Sequence, residues 1–224
     1  MHPKVGVGYN AQVAVDSKHK LIVEQEVTNA GSDLGLLAPT ASAAKEVLEA
    51  EQIKVVADSG YYKGEDIAAC EAAGIEAYVT RPQRGFAVRE GLFRKEEFHY
   101  DSQNDVYICL GNQQLHLRYR STGGEHDRIY YCSRDVCRHC ELKSRCTTNP
   151  YRQVSRWIGE AALDRMEARL KANLEILGQR RELVKHPFGS IKQSMNQGAF
   201  LMCGLERTVG FIDGAGPEVV GSDH

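Results

Sequence analysis

The residues with the clearest chemical potential are four cysteines that lie within fifteen positions of one another. Cys132, Cys137, Cys140 and Cys146 are spaced C-x4-C-x2-C-x5-C. Two cysteines separated by two residues can place both sulfurs on one tetrahedral ion, and an all-cysteine site leaves no open position for water. The spacing predicts a structural Zn²⁺ site, with His139 as an alternative ligand. Four unligated thiols are the competing interpretation.

The other three of the seven cysteines, Cys70, Cys109 and Cys203, are scattered along the chain. We predict that they are small buried apolar residues, which is common for free cysteine. The start MHPKVGVGYN has no secretory pattern, and no apolar run approaches the roughly 20 residues of a membrane helix. A cytoplasmic protein without a membrane partner is therefore predicted, and in that compartment clustered cysteines favour metal over disulfides.

A second candidate for chemistry is Asp58, which ends the mostly apolar segment IKVVAD. Such a segment predicts a strand buried in a sheet, and α/β folds place ligands at the carboxyl ends of strands. Ser59-Gly60 permits a tight turn that leaves the carboxylate accessible, and Mg²⁺ prefers carboxylate oxygens. Two interpretations stay open, a cation ligand or a cap of the turn that follows.

Positive charge is concentrated in the later part of the chain. Residues 1–80 hold 6 Lys and Arg against 12 Asp and Glu, whereas residues 81–224 hold 22 against 18. Residues 118–156 contain nine Arg and Lys against four acidic residues. This balance indicates either a polyanion partner or a solvated surface.

The elements that must position these residues follow from periodicity. Residues 5–28 alternate apolar and polar around the turn SKHK, which predicts a β-hairpin. Ser32 or Asp33 is predicted to cap a helix that ends near residue 50. A strand at 53–58, a helix at 64–73 and a strand at 75–80 complete an α/β pattern with parallel pairing.

The pattern changes after residue 81. Residues 92–131 predict four short strands separated by polar turns, and the cysteines follow. From residue 159 helical periodicity resumes in the stripe Leu163, Met166, Leu170, Leu174 and Leu177. We therefore divide the chain into a first α/β part (1–80), a β-rich insertion with the cysteines (81–158), returning helices (159–207) and a frayed tail (208–224).

Three stretches in this order resemble the DDE-type transposases of bacterial insertion sequences. They are VGYNAQVAVDSKHKLIVEQEVTNAGSD, VVADSGYYKGEDI and RRELVKHPFGSIK, the last resembling the His-Pro-Phe-Gly variant of the C-terminal signature. The resemblance covers about residues 5–207. It implies an α/β fold with an incomplete RNase H-like mixed sheet and flanking helices, interrupted by the β-rich, cysteine-containing insertion.

The resemblance also implies site residues. Asp58 corresponds to the second of three carboxylates that hold Mg²⁺, Arg181 to the signature arginine, and Lys192 to a lysine that contacts DNA. The position of the catalytic glutamate is occupied by Lys185. The first carboxylate of the family precedes the hairpin, where this chain begins, so a truncated and catalytically incomplete fragment is expected.

The function implied by the resemblance is metal-dependent DNA strand cleavage and transfer at the terminal repeats of a mobile element. The competing hypothesis is a DNA- or RNA-binding zinc module that works without catalysis through residues 118–156. A remnant without function is the third. The resemblance leaves the oligomeric state open, and a homodimer is one of the alternatives.

Overall fold

The computed structural model describes residues 9–121, 128–178, 180 and 183. The described chain divides into two compact units. Residues up to Arg81 together with those from Ala162 onward form the first unit, and Pro82–Ala161 form the second. Several residues singled out in the sequence lie outside the described part of the chain, namely Arg181, Lys185, Lys192, Cys203 and the predicted tail.

The first unit begins with the predicted hairpin. Strand β1 (Asn10–Val15) pairs antiparallel with β2 (Ile22–Thr28). The carboxylate of Asp16 closes the turn, because it accepts hydrogen bonds from the backbone N–H groups of Lys18 at 3.3 Å and His19 at 2.7 Å. The hairpin prediction is confirmed.

Helix α1 (Leu37–Val47) begins later than the sequence predicted. Neither Ser32 nor Asp33 caps it, so that part of the prediction was wrong. The N-cap position is Leu36, which makes no side-chain cap bond, and the first helical N–H, that of Leu37, donates instead to Asp66 Oδ2 at 3.2 Å. A carboxylate from a distant element therefore satisfies the N-terminal backbone group that a local cap would otherwise bond.

The parallel α/β segment forms as predicted. Strand β3 (Ile53–Ala57), helix α2 (Gly64–Ala72) and strand β4 (Ile75–Val79) follow in order, and β3 pairs parallel with β4 from Ile53–Ile75 to Ala57–Val79. Helices α1 and α2 bury apolar side chains against this pair. Cys70 lies fully buried in the cluster, where burial raises the pKa of its thiol to about 11.

The described strands of the first unit do not form one continuous sheet. Among the described residues, β1–β2 and β3–β4 are separate two-stranded sheets, so strand 53–58 is at an edge rather than inside a sheet as predicted. A cavity of about 600 Å³ touches every residue of both β1 and β3. Successive side chains of a strand point to opposite faces, so a cavity that contacts all of them runs along the strand edge.

Helix α6 (Ala161–Ala172) completes the first core by burying Leu163 and Met166. It is shorter than the predicted stripe. Asn173 Nδ2 donates to the carbonyl of Arg169 at 2.9 Å where the helix ends, and Leu174 is 61% exposed. The described residues 176–178, 180 and 183 are again helical.

The second unit is a five-stranded antiparallel sheet with strand order β5–β6–β7–β8–β9. The four strands predicted in this region are confirmed, whereas β9 was not predicted. The strands are β5 (His99–Asp101), β6 (Val106–Ile108), β7 (Gln114–Ser121), β8 (Arg128–Cys132) and β9 (Gln153–Trp157). Short helices α3 (Phe86–Arg89), α4 (Arg134–Arg138) and α5 (Lys143–Cys146) accompany them.

A tyrosine cluster forms the centre of this second unit. The rings of Tyr100, Tyr107 and Tyr131 lie with centroids 5.0 to 6.1 Å apart in tilted and edge-to-face arrangements. Asp105 Oδ1 accepts hydrogen bonds from the hydroxyls of Tyr100, at 2.7 Å, and of Tyr131. The hydrogen bond from Tyr131 is the main cause that lowers the pKa of Asp105 below its ordinary value.

Replacing this acceptor should destabilise the second unit. Asp105→Ala leaves the buried Tyr131 hydroxyl without its partner, which we expect to cost about 1–3 kcal/mol in the free energy of unfolding. Asp105→Asn keeps an acceptor oxygen and suits the positive φ of 51° at this position, so a smaller loss is expected. Urea unfolding followed by tyrosine fluorescence measures both.

The same contact gives a pH dependence with a defined sign. Because the pKa of Asp105 is lowered in the folded chain, its stabilising contribution is present above the ordinary aspartate pKa. That contribution is lost as the pH falls through the lowered pKa.

Equal stability of the Asp105→Ala and Asp105→Asn variants at neutral pH would contradict the assigned hydrogen bonds.

Candidate functional site

Asp58 directly follows β3 at its carboxyl end. Its backbone is extended, with φ −82° and ψ 177°, and its Oδ1 accepts a hydrogen bond from the N–H of Gly60 at 2.8 Å. Asp58 therefore caps the short 3-10 turn Ser59–Tyr61, one of the two interpretations that the sequence left open. The other interpretation still stands, because the side chain remains 47% exposed and Oδ2 takes no part in the cap.

A second carboxylate, Asp33, converges on the same turn. A Cβ at position 60 would lie 2.9 Å from both Asp33 Oδ2 and Asp58 Oδ1, closer than side chains tolerate. Glycine at position 60 therefore lets the two carboxylates approach one stretch of backbone. Asp33 is oriented through its other oxygen, which accepts from Asn10 Nδ2 at 2.7 Å and from Gln12 Nε2 at 3.2 Å.

The sequence interpretation missed Asp33 because it was assigned as a helix cap. A signal was present in β1, where Gln12 is a polar residue in a run of apolar ones. Gln12 is only 1% exposed, and a buried amide needs hydrogen-bond partners. Such a residue in a strand interior indicates a polar site beside it.

Tyr61 completes a polar network around the two carboxylates. Its hydroxyl donates to Gln12 Oε1. Burial and the negative charges of Asp33 and Asp58 raise the pKa of Tyr61 to about 12, although the positive charge of Arg180 opposes this shift. Tyr61 therefore stays protonated at neutral pH and acts here as a hydrogen-bond donor rather than as a base.

Arg180 provides the cation of this site. Its Nη2 donates to Asp58 Oδ2 at 2.8 Å across a sequence separation of 122 residues. The sequence predicted that the segment carrying Arg181 approaches Asp58, and Arg180, its neighbour, makes the approach among the described residues. The formal charges of two carboxylates and one guanidinium sum to a net negative charge, which favours a cation.

Helix α6 contacts the turn after Asp58 through Glu167. Glu167 Oε1 accepts hydrogen bonds from the Tyr62 hydroxyl at 2.8 Å and from Arg81 Nε and Nη2 at 2.8 and 2.6 Å. The Arg81 guanidinium also lies over the Tyr62 ring, 5.2 Å from its centroid. The ends of β3 and β4 are thereby connected to one helix, which restricts the position of the site.

The donor chemistry of this site suits a hard divalent cation. Mg²⁺ is usually held by one or two carboxylates together with substrate phosphates, and Asp58 and Asp33 supply two. Within the described residues, no three Asp, Glu, His or Cys side chains are grouped so that they could hold a metal ion. A cation here would thus depend on further oxygen ligands, such as those of a phosphate.

A second group of residues with chemical potential lies in the second unit. A cavity of about 20 Å³ has Cys109, Cys137, Cys140 and Cys146 among its lining residues. The pKa of Cys146 is raised, first by burial and further by the other three thiols, while Arg152 opposes the shift. The structure therefore brings together three of the four predicted cysteines with Cys109, which the sequence predicted to be an isolated buried residue.

Cys132 lies apart from this cavity among the described residues. It is the last residue of β8, where it is paired with His116 of β7 and Gln153 of β9. Its role as a zinc ligand stays a prediction. Because Cys109 and not Cys132 lines the cavity, the spacing of cysteines in the sequence is a poor guide to which thiols are neighbours.

Part of the basic segment 118–156 packs in the interior of the second unit. Arg156 is only 7% exposed, and its guanidinium lies 3.7 Å from the centroid of the Tyr100 ring. Other parts are open to solvent. Tyr119 and Tyr130 stack at 4.6 Å on the sheet, and Arg118 and Arg120 beside Tyr119 on β7 are exposed.

The first unit has Asp58 at the carboxyl end of a parallel strand, Asp33 beside it, and a β-rich unit inserted before α6. It is a mixed α/β domain of the RNase H-like class. Over residues 6–214 the sequence matches the transposase DDE domain, and the chain belongs to that family. Neither the curated proteins nor the solved structures gave a match. None of the helices in the described residues is long and apolar enough to cross a membrane.

Proposed function

We propose that this chain binds the DNA ends of a mobile element and that Asp58, with Asp33, holds a divalent cation against a DNA phosphate. The observation that carries the proposal is the convergence of these two carboxylates over Gly60 at the end of β3. Membership of a transposase family supports DNA as the substrate. A bound cation would stabilise negative charge on the reacting phosphate oxygens.

The side chains around the carboxylates have separate roles in this proposal. Asn10 and Gln12 orient Asp33 before any ligand arrives, which lowers the cost of ordering it on binding. The Tyr61 hydroxyl holds Gln12 in turn. Arg180 neutralises part of the charge of Asp58 and, with its planar guanidinium, is suited to move from the carboxylate to a phosphate.

We further propose that strand cleavage is incomplete in this chain. By resemblance to the family, position 185 should carry the catalytic glutamate, and it carries Lys185. A lysine there removes a ligand and adds a positive charge that repels a divalent cation. Arg181 and Lys192, which correspond to the signature arginine and to a DNA-contacting lysine, would keep DNA affinity when chemistry is lost.

The alternative function is nucleic-acid binding by the second unit without catalysis. The observation that favours it is the stacked pair Tyr119 and Tyr130, of which Tyr119 is exposed, on a sheet whose strand β7 also carries the exposed Arg118 and Arg120. Aromatic side chains and arginines on a sheet are typical platforms for single-stranded bases. Preference for single-stranded over duplex DNA, lost in Tyr119→Ala, would favour this alternative.

Three measurements test the proposed function. We expect the chain to bind duplex DNA with an affinity that falls steeply as the salt concentration rises. A plot of the logarithm of the binding constant against the logarithm of the salt concentration should have a slope of about −0.9 for each phosphate that the chain neutralises. We expect no Mn²⁺-dependent nicking of the DNA that flanks the coding frame, and tighter Mn²⁺ binding in Lys185→Glu. Lys185→Gln is the matched control, because it removes the positive charge without adding a carboxylate.

Three results would contradict this proposal. Salt-independent or undetectable DNA binding would remove DNA as the substrate. Efficient nicking by the unaltered chain, abolished by Asp58→Ala, would mean that Lys185 does not prevent chemistry. Equal Mn²⁺ affinity in all three chains would separate position 185 from the cation site.

A further inference from the structure

We propose that Cys109, Cys137, Cys140 and Cys146 form a structural Zn²⁺ site in the second unit, with Cys109 in the place that the sequence pattern gives to Cys132. The zinc would join the turn between β6 and β7 to the helical segment that follows β8. The inference is independent of the proposed function, since it concerns the stability of the insertion and not the Asp58 site.

The size of the cavity between these thiols suits a single ion. Its volume of about 20 Å³ is close to the roughly 10–15 Å³ that one water molecule requires. The sulfurs of Cys109 and Cys140 both lie close to Gly111. A Cβ atom at position 111 would be 3.7 Å from Cys109 Sγ and 3.8 Å from Cys140 Sγ. The volume is therefore on the scale of a single ion.

Local structure brings each of the four cysteines to the cavity. Cys109 begins a tight turn in which its N–H donates to Gln113 at 2.9 Å and its carbonyl accepts from Asn112 at 2.8 Å. Cys137 lies in α4, Cys140 follows it by three positions, and Cys146 ends α5. Two cysteines with this two-residue gap can bind one tetrahedral ion.

The direction of strand β8 excludes Cys132 from this group. Tyr131 is fully buried in a core cluster against which Cys109 and Cys146 are packed. Successive side chains of a strand point to opposite faces, so Cys132 is directed away from that cluster. Rotating the Cys132 side chain cannot bring it through the sheet.

Charge in the cavity lining favours an anionic metal site over neutral thiols. Zn²⁺ with four thiolates carries a net charge of −2, and Lys143 and Arg152 line the same cavity. Arg152 Nε is buried and has no hydrogen-bond partner in the described part of the structure. Two nearby positive groups would balance a tetrathiolate site, whereas two disulfides would leave them uncompensated.

Metal binding must draw the thiols closer together. No group of three potential ligands in the described residues is already placed to hold a metal, and zinc–sulfur bonds are about 2.3 Å long. Side-chain rotation around the small cavity would supply this contraction. Each of the four thiols releases its proton to solvent as its sulfur bonds the ion, so binding weakens at low pH and contributes to folding.

The first test uses the full chain without substitutions. Protein expressed with zinc should contain about one zinc per chain, as a closed tetrathiolate site requires. Alkylation with iodoacetamide, mapped by mass spectrometry, should leave Cys109, Cys137, Cys140 and Cys146 protected until a chelator removes the metal. The chelator-dependent change at Cys109 should exceed any change at Cys132, which is buried by the fold and not by the metal.

The second test compares two matched serine variants. Cys109→Ser should lower zinc affinity by at least about tenfold to a hundredfold, the range known for weaker perturbations of ligand surroundings. Its Co²⁺ complex should lose thiolate-to-metal absorption relative to the unaltered chain. Cys132→Ser should keep both the zinc content and the cobalt spectrum.

Four outcomes would overturn the proposal. They are a zinc-free chain after metal-replete expression, disulfides among these cysteines, chelator-dependent protection of Cys132 instead of Cys109, and loss of zinc in Cys132→Ser but not in Cys109→Ser. DNA binding is not a readout in either test, so failure of the zinc site and failure of the proposed function remain distinguishable.

Discussion

Asp58→Asn is expected to weaken Mn²⁺ binding by at least about tenfold to a hundredfold, because even indirect partners of metal ligands have effects of that size. The substitution keeps the oxygen that accepts from Gly60 N–H and so preserves the turn. It removes the negative charge and the ion pair with Arg180. Isothermal titration of the chain with Mn²⁺ measures the change.

Asp16→Asn is the matched control for this measurement. Asp16 lines the same 600 Å³ cavity as Asp58 but lies in the hairpin turn between β1 and β2. Its substitution changes the net charge equally and should leave Mn²⁺ affinity within about twofold. Asp16 follows the end of β1 opposite to Asn10, the residue that bonds Asp33, so its charge is distant from the site. An equal loss of affinity in both variants would show that Mn²⁺ responds to general charge and not to Asp58.

Met166→Ala should lower the free energy of unfolding of the first unit by about 2–5 kcal/mol. Met166 of α6 is 0% exposed and packs with Leu163 against the core of both parallel strands. The truncation removes buried methylene and sulfur contacts and leaves a cavity that close-packed neighbours fill only in part. Denaturant unfolding followed by circular dichroism measures the loss.

Leu174→Ala provides the comparison for Met166→Ala. Both residues belong to the apolar stripe of the sequence, but Leu174 is 61% exposed and follows the end of α6. A change within about 0.5 kcal/mol is expected at such a surface position. A loss for Leu174→Ala as large as for Met166→Ala would mean that the stripe packs as one continuous helix.

Local sequence patterns were sufficient to predict those secondary-structure elements that are determined by residues close to one another along the chain. Alternation in NAQVAV and IVEQEVT and the SKHK turn gave the hairpin, because pairing partners lie close along the chain. Gly74, with φ +72°, ends the segment of α2 before β4, as glycine commonly does after a helix. The α/β class followed from the order of these elements, and the RNase H-like assignment followed from the family resemblance.

Elements that depend on distant partners were predicted poorly. Helix α1 starts at Leu37 because Asp66, 29 residues away, accepts its first N–H bond. Strand β9 exists because it pairs with β8 across the cysteine segment, from Arg128–Trp157 to Cys132–Gln153. The local sequence QVSRW has too short an apolar pattern to indicate a strand without that pairing.

The candidate sites divide in the same way. By itself, the sequence determined that Asp58 ends a strand and that Cys137, Cys140 and Cys146 occur near one another, since both statements concern neighbours along the chain. Only the tertiary structure decided that Asp33 and Arg180 meet Asp58, and that Cys109 rather than Cys132 joins the other thiols. The physical reason is that these side chains come together through the tertiary fold. The strand face on which a residue lies sets the direction of its side chain, and the contacts that bring the side chains together span up to 122 residues of sequence.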